Sequence, residues 1–248
     1  MELIFYNFIL IMLGGCLGSF ASLLIYRLPH QDESINIFYP RSFCPECKVR
    51  LTILQLIPFV GYFLNKGNCK SCKTKINISY PINEFMMTLF FLYIVHVMSK
   101  DNLMTFLLTS IIFILYVQSL IDFKMLLLSQ PLSYVLVIVG LCLNISLEFF
   151  TVLIDSMLGL IFGYGILFCI NLLHKMIRGI DGIGSGDFML LGGLGALFGA
   201  SAIGPILLVG SSITLSLYAI KKDDMKELPL GFGLGLAGIF YCLIFISI

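Results

Sequence analysis

Apolar stretches long enough to cross a bilayer recur along this chain, and no other feature constrains its fold more. They fall at about 4–26, 83–98, 103–121, 131–147, 152–173, 188–201, 204–220 and 228–248. At about 1.5 Å per residue, roughly 20 helical residues cover the hydrocarbon thickness. In lipid every backbone N–H and C=O has to be paired within its own segment, which leaves helices as the natural spanning element. Only 12% of the 248 residues are charged, against roughly 25% in a soluble domain, too few to cover a water-facing surface. The expectation is an all-α polytopic membrane protein with about eight transmembrane helices. The first run has no basic residues at its start and no small-x-small cleavage site, so it reads as a retained span rather than a signal peptide. The formal charge of +1 gives no sign of a nucleic-acid partner.

Charge is distributed unevenly. The one long polar region, about 27–80, holds Arg27, Arg41, Lys48, Arg50, Lys66, Lys70, Lys73 and Lys75 against Asp32, Glu33 and Glu46. Basic residues flanking spans stay in the cytoplasm, which places this region inside and the N-terminus outside. Alternate threading then puts Lys124, Lys175 and Arg178 inside. If 188–220 crosses twice, broken between Gly199 and Pro205, Lys221, Lys222 and Lys226 are inside too. That arrangement leaves Lys100 as the single external basic residue.

Within the polar region stand two pairs, Cys44-Pro45-Glu46-Cys47 and Cys69-Lys70-Ser71-Cys72, separated by 21 residues. Two C-x-x-C knuckles about 20 residues apart read as a four-thiolate zinc site. Four thiolates leave no open position for water, so the zinc is structural and staples a segment too poor in apolar residues to form its own core. Disulfides and redox pairs are the alternatives, and a cytoplasmic location disfavours stable disulfides. Cys16, Cys142, Cys169 and Cys242 lie in apolar spans and read as small hydrophobes.

The acids near membrane depth are Glu84, Asp101, Asp122, Glu148, Asp155 and Asp187. Such groups are costly there unless something uses them. Asp101, Glu148 and Asp155 flank external loops, where water can solvate them. Glu84 begins the second span, where a helix N-terminus steadies an acid. Asp122 closes the third span and Asp187 opens the sixth, both on the cytoplasmic side. Two carboxylates far apart in sequence therefore reach one depth on one face. Gly182, Gly184 and Gly186 precede Asp187 and permit unusual backbone angles and the close approach of another chain. Adjacent aspartates share a proton, one serving as base toward a water and the other hydrogen-bonding a scissile carbonyl.

These motifs, in this order, resemble the prepilin peptidases, the type IV leader peptidase family of G-x-G-D membrane aspartic proteases, over essentially the whole chain. The resembling residues are Gly18-Ser19-Phe20, Arg27-Leu28-Pro29, Pro40-Arg41-Ser42 leading to the two knuckles, Tyr80-Pro81-x-x-Glu84, Asp122-Phe123-Lys124, Gly184-Ser185-Gly186-Asp187 and Pro229-Leu230-Gly231-Phe232. The resemblance implies that Asp122 and Asp187 are catalytic, with Gly184, Gly186 and Lys124 positioning substrate or backbone. It implies cleavage of short basic leaders from type IV prepilins or pseudopilins, after a glycine, at the cytoplasmic face of the cell membrane. Many relatives also methylate the new N-terminus with S-adenosylmethionine, and Glu84 carries either that role or structural support. The compact plan is similar to members serving competence pseudopili.

The family commonly has a second acid downstream of the first, after a proline; here Leu128-Ser129-Gln130-Pro131 has none. Pro229-Leu230-Gly231-Phe232 departs from the family's P-F-G-P at two positions, and the sequence assigns it no role. The expected organisation is a first span at 1–26, a zinc-binding loop domain at 27–80 and a peptidase domain at 81–248. The non-enzyme alternative is a polytopic transporter or channel with a zinc-stabilised loop.

Overall fold

The computed structural model describes residues 2–30, 35–98, 101–220 and 227–247, with side chains from residue 4 onward. Asp32, Glu33, Lys100, Lys221, Lys222 and Lys226, which bear on the charge distribution, lie outside the described residues. The described chain is helical: α1 (Glu2–Arg27), α2 (Ile53–Leu56), α3 (Val60–Leu64), α4 (Ser79–Val97), α5 (Asn102–Met125), α6 (Gln130–Leu147), α7 (Leu153–Arg178), α8 (Ser185–Phe198), α9 (Ala200–Ile220) and α10 (Leu230–Ser247). Among the described residues seven helices are long and apolar enough to cross a membrane, and α8 is a shorter apolar helix.

The punctuation between helices has local causes. Pro131 opens α6, and α7 ends on Gly179 at φ +76°, the left-handed cap that glycine adopts without a Cβ penalty. The long apolar run from 188 to 220 breaks at Gly199, φ +85°. Pro205 does not take part in that break, because α9 begins at Ala200 and runs through it. The break leaves α8 with 14 residues, about 21 Å long, short of the roughly 30 Å of hydrocarbon.

The chain divides into two compact units, residues 1–113 and 114–248, with the boundary inside α5. In the first, α1 packs on α4 through small residues. A Cβ on Gly14 would sit 2.7 Å from Thr88 Cα, and one on Gly18 would sit 2.4 Å from Glu84 Cα. Close approach through small-xxx-small pairs lets helices gain dispersion contact where lipid offers no hydrophobic drive. Arg27, which the charge count treats only as a topogenic residue, is buried, and its guanidinium donates to the carbonyls of Asn36, Ile37 and Pro40. It ties the end of α1 to the loop leading into the first knuckle.

The long polar region, expected to be too poor in apolar residues for a core of its own, contains an apolar element. Residues 53–64 form an apolar hairpin, α2 and α3, closed where Gly61 meets the backbone of Gln55. In the second unit α8 is the core, packed against α6, α7, α9 and α10, and Phe188 and residues 190–198 are all buried.

Candidate active site

Asp122 lies in the last turn of α5 and is 5% exposed. Its Oδ2 accepts the Phe232 backbone N–H at 2.8 Å, and the Gly231 backbone also bonds the carboxylate. Gly231 and Phe232 open α10, so the free N–H groups of a helix start hold this side chain. Glycine at 231 keeps the approach open, since a Cβ there would lie 3.0 Å from Asp122 Oδ2 and 2.7 Å from Leu128 Cδ1. The stretch 229–232 thus acquires a role that its sequence did not disclose.

Asp187 is the third residue of α8, whose N-cap is Gly184. It takes a backbone hydrogen bond from Gly184 and lies within electrostatic reach of Asp122. Its buried Oδ1 has no hydrogen-bond partner. The two aspartates, 65 positions apart in sequence, are therefore neighbours in the second unit.

The glycines before Asp187 act by space rather than by backbone angle. None of Gly182, Gly184 and Gly186 has a positive φ. A Cβ on Gly186 would lie 2.6 Å from Leu128 Cβ, and one on Gly182 would lie 2.8 Å from the His174 ring. Leu128, in the segment where an acid is missing, packs against both Gly186 and Gly231. Lys124 is exposed two residues beyond Asp122.

Asn171, which no motif singles out, organises this loop. Its Oδ1 accepts the N–H groups of Gly182 and Ile183 at 2.8 and 3.0 Å, and its Nδ2 donates to Asp181 Oδ1 at 3.0 Å. Lys175 closes the arrangement with a 2.9 Å ion pair to Asp181. The Lys175 hydrogen bond, helped by that of Asn171, holds the Asp181 carboxyl below the usual carboxylate range. The one available signal was an amide at polar spacing on the apolar α7, too common a pattern to interpret.

Three of the remaining acids, Asp101, Asp155 and Glu84, have local partners. Asp101 Oδ1 accepts the N–H groups of Leu103 and Met104 at the start of α5, and Asp155 Oδ2 accepts the Thr151 hydroxyl. Glu84 is buried five residues past the start of α4, beyond the first turn, so the helix N-terminus does not account for it. It accepts the Phe59 N–H at 2.7 Å and bonds the Ser19 side chain, tying the α2–α3 hairpin to α1.

The four knuckle cysteines converge in the first unit, with their sulfurs all within 4.8 Å of one another. Cys44 and Cys72 stand 3.9 Å apart and Cys47 and Cys69 4.0 Å. A tetrahedron of metal–sulfur bonds about 2.3 Å long has edges near 3.8 Å, whereas a disulfide needs about 2.05 Å. The donor set fits a tetrahedral thiolate metal. The knuckles are built alike: the Cys44 N–H bonds Val49 O as the Cys69 N–H bonds Thr74 O, and Lys48 and Lys73 both have positive φ.

Family comparison matches residues 12–98 to the bacterial peptidase A24 N-terminal domain and residues 106–220 to the type IV leader peptidase family. The chain is 32% identical over 245 residues to a prepilin leader peptidase/N-methyltransferase of Neisseria gonorrhoeae, covering 90% of this chain and 84% of that one. The chain belongs to the type IV leader peptidase family. Proteins of the same description from Aeromonas salmonicida and Pectobacterium carotovorum are each 30% identical, covering 85% and 90% of those relatives. No solved structure matches. Within this leader peptidase the family match ends at 220, yet α10 beyond it supplies the N–H groups on Asp122.

Proposed function

We propose that this protein is a membrane aspartic endopeptidase that removes the leader peptide of type IV prepilins or pseudopilins, with Asp122 and Asp187 as its catalytic pair. The observation that carries the proposal is the pair itself. One aspartate is held by the start of α10; the other is carried at the start of α8 with a buried, unpartnered Oδ1. Two carboxylates within electrostatic reach of one another favour keeping one proton between them. The ionised member takes a proton from water as the water oxygen attacks the scissile carbonyl. The protonated member hydrogen-bonds the carbonyl oxygen as charge develops there, and a proton passes to the departing amine as the C–N bond breaks. Gly184 is exposed and leaves the backbone before Asp187 open to an extended peptide, while Gly186 makes room for Leu128; Lys124 is exposed two residues beyond Asp122.

The charge distribution supports a cytoplasmic position for the active end and for residues 27–80, with the N-terminus outside and 81–248 as the peptidase domain. The four-cysteine cluster is the site for a structural zinc ion. The relatives' descriptions and the N-terminal domain match support a second activity on the same chain, methylation of the newly exposed amine. That amine would attack the methyl group of S-adenosylmethionine and release S-adenosylhomocysteine. Glu84, employed in packing, fits structural support better than a methyl-transfer role.

The test is cleavage of a prepilin by membranes containing Asp122→Asn or Asp187→Asn protein. Asparagine keeps the shape but cannot take the proton. Each single change is expected to abolish cleavage, and the double change to add nothing, while the protein stays folded and inserted. Near-normal cleavage by either variant would sink the dyad. Transfer of a labelled methyl group to the cleaved product tests the second activity separately.

A further inference from the structure

Residues 53–64 are the feature that neither the sequence pattern nor the proposed chemistry absorbs. In a loop otherwise rich in lysine, they fold into a tight apolar hairpin whose side chains are largely uncovered. Ile53 is 82% exposed and Phe63 69%; Leu54, Leu56, Val60 and Leu64 are exposed as well. Phe59, Tyr62 and Phe63 line one wall of a groove of about 450 Å³, and Ile78, Ile82 and Phe85 line the other. No charged residue contributes to that lining.

Three observations indicate what covers it. First, the far wall belongs to a membrane span: Ile82, Phe85, Leu89 and Tyr93 form a continuous exposed stripe along α4, the face a span turns to lipid. Second, the hairpin is tied near the start of a span. Its tip is fixed by the Phe59 N–H bond to Glu84 and by the contact of Pro58 and Phe59 with Gly15 of α1. Glu84 lies about 7 Å along α4 from Ser79, within the roughly 5–10 Å to which interfacial helices sink. Third, the charge is complementary to an anionic surface. Residues 35–78 carry seven Lys/Arg and one acid, Glu46. The second knuckle, with Lys70, Lys73 and Lys75, is joined to α3 by the bond from Gly67 N–H to Tyr62 O.

We propose that the α2–α3 hairpin is an interfacial anchor: it lays its apolar side chains among the acyl chains of an anionic leaflet, the groove beside α4 takes an acyl chain, and the neighbouring lysines meet lipid phosphates. The four-cysteine cluster is thereby held down on the membrane rather than free in solvent. Such anchoring combines buried apolar area with attraction of about 1 kcal/mol per basic residue to anionic headgroups.

The chain contains no tryptophan, so Phe63→Trp gives the full-length protein a single emitter at an exposed position. Leu89→Trp, on the α4 stripe, is the lipid-facing control. Each variant is reconstituted in mixed phosphatidylglycerol and phosphatidylcholine vesicles with bromines on the acyl chains of one lipid or the other. Emission from the Phe63→Trp protein should be blue-shifted and quenched roughly twofold by brominated lipid, comparably to the Leu89→Trp control. Brominated phosphatidylglycerol should quench it more than brominated phosphatidylcholine. Water-like emission that iodide quenches and brominated lipid does not would overturn the proposal. Blue emission indifferent to both quenchers would also overturn it, because a protein or second copy would then occupy the groove. Equal quenching by the two lipids would overturn the anionic preference.

Discussion

Asn171 spends its whole side chain on the loop that leads to Asp187. Its oxygen accepts two backbone N–H groups, and its nitrogen meets Asp181. Asn171→Asp keeps the acceptor but sets two carboxylates against each other, and should slow leader cleavage up to roughly tenfold, the effect of one lost part-buried hydrogen bond to a charged group. Adding Asp181→Asn reverses donor and acceptor, and should restore most of the rate. Cleavage kinetics on the two singles and the double decide it; a double variant no better than Asn171→Asp would show that the loop is held otherwise. The pH behaviour follows from the same contacts. The Asp181 carboxyl is held low by Lys175 and Asn171, so its contribution is present above the unfolded value of about 3.9 and is lost only as pH falls through the lower folded value. Between about pH 5 and 8 the Asp181 carboxylate itself stays ionised. Asp181→Asn should therefore leave the pH of maximal cleavage in place; a displaced maximum would contradict this.

At the scale of elements, α8 explains both the short sixth span and the glycines around it. It is enclosed by other helices, and it comes close enough for backbone contact only where side chains are absent. A Cβ on Gly159 would lie 2.2 Å from Gly195 O, and one on Gly163 would lie 2.5 Å from Leu191 O. Its C-terminal carbonyls are buried, and the Asn144 side chain donates to Ala196 O and Leu197 O while the Ser156 hydroxyl donates to Ala196 O. Such partners are what a helix end out of reach of water requires. Gly159→Leu forces α7 away from α8 and should lower stability by about 3 kcal/mol, at the upper end of overpacking costs. Gly165→Ala and Gly204→Ala, with nothing within 4 Å of the new Cβ, should be neutral or gain up to about 1 kcal/mol from helix propensity. Thermal unfolding in detergent separates the two classes, and a tolerated Gly159→Leu would refute the close contact.

At the scale of the whole molecule, the four-cysteine cluster is the group among the described residues whose sulfurs lie close enough together to hold a metal. Protein purified without chelator should carry about one zinc per chain. Removing the metal, or replacing Cys47 by Ser, should raise hydrogen exchange across residues 36–76 while leaving exchange in α8 unchanged. Metal-free protein with equally protected knuckles would count against the site. What the sequence alone determined is what depends on composition and short spacing: a polytopic helical protein from its apolar runs, a thiolate site from two C-x-x-C pairs, and an aspartate pair from motifs that mark each member. These are legible because bilayer thickness and metal geometry impose fixed lengths that a linear chain has to display. The tertiary structure decided what depends on contacts between distant segments. It brought the N–H groups of α10 to Asp122, made Asn171 the organiser of the glycine loop, set Leu128 against Gly186 and Gly231, and turned an apolar hairpin out of a lysine-rich loop. None of these leaves a periodic trace, because each is fixed by which residue a helix happens to face, and only packing settles that.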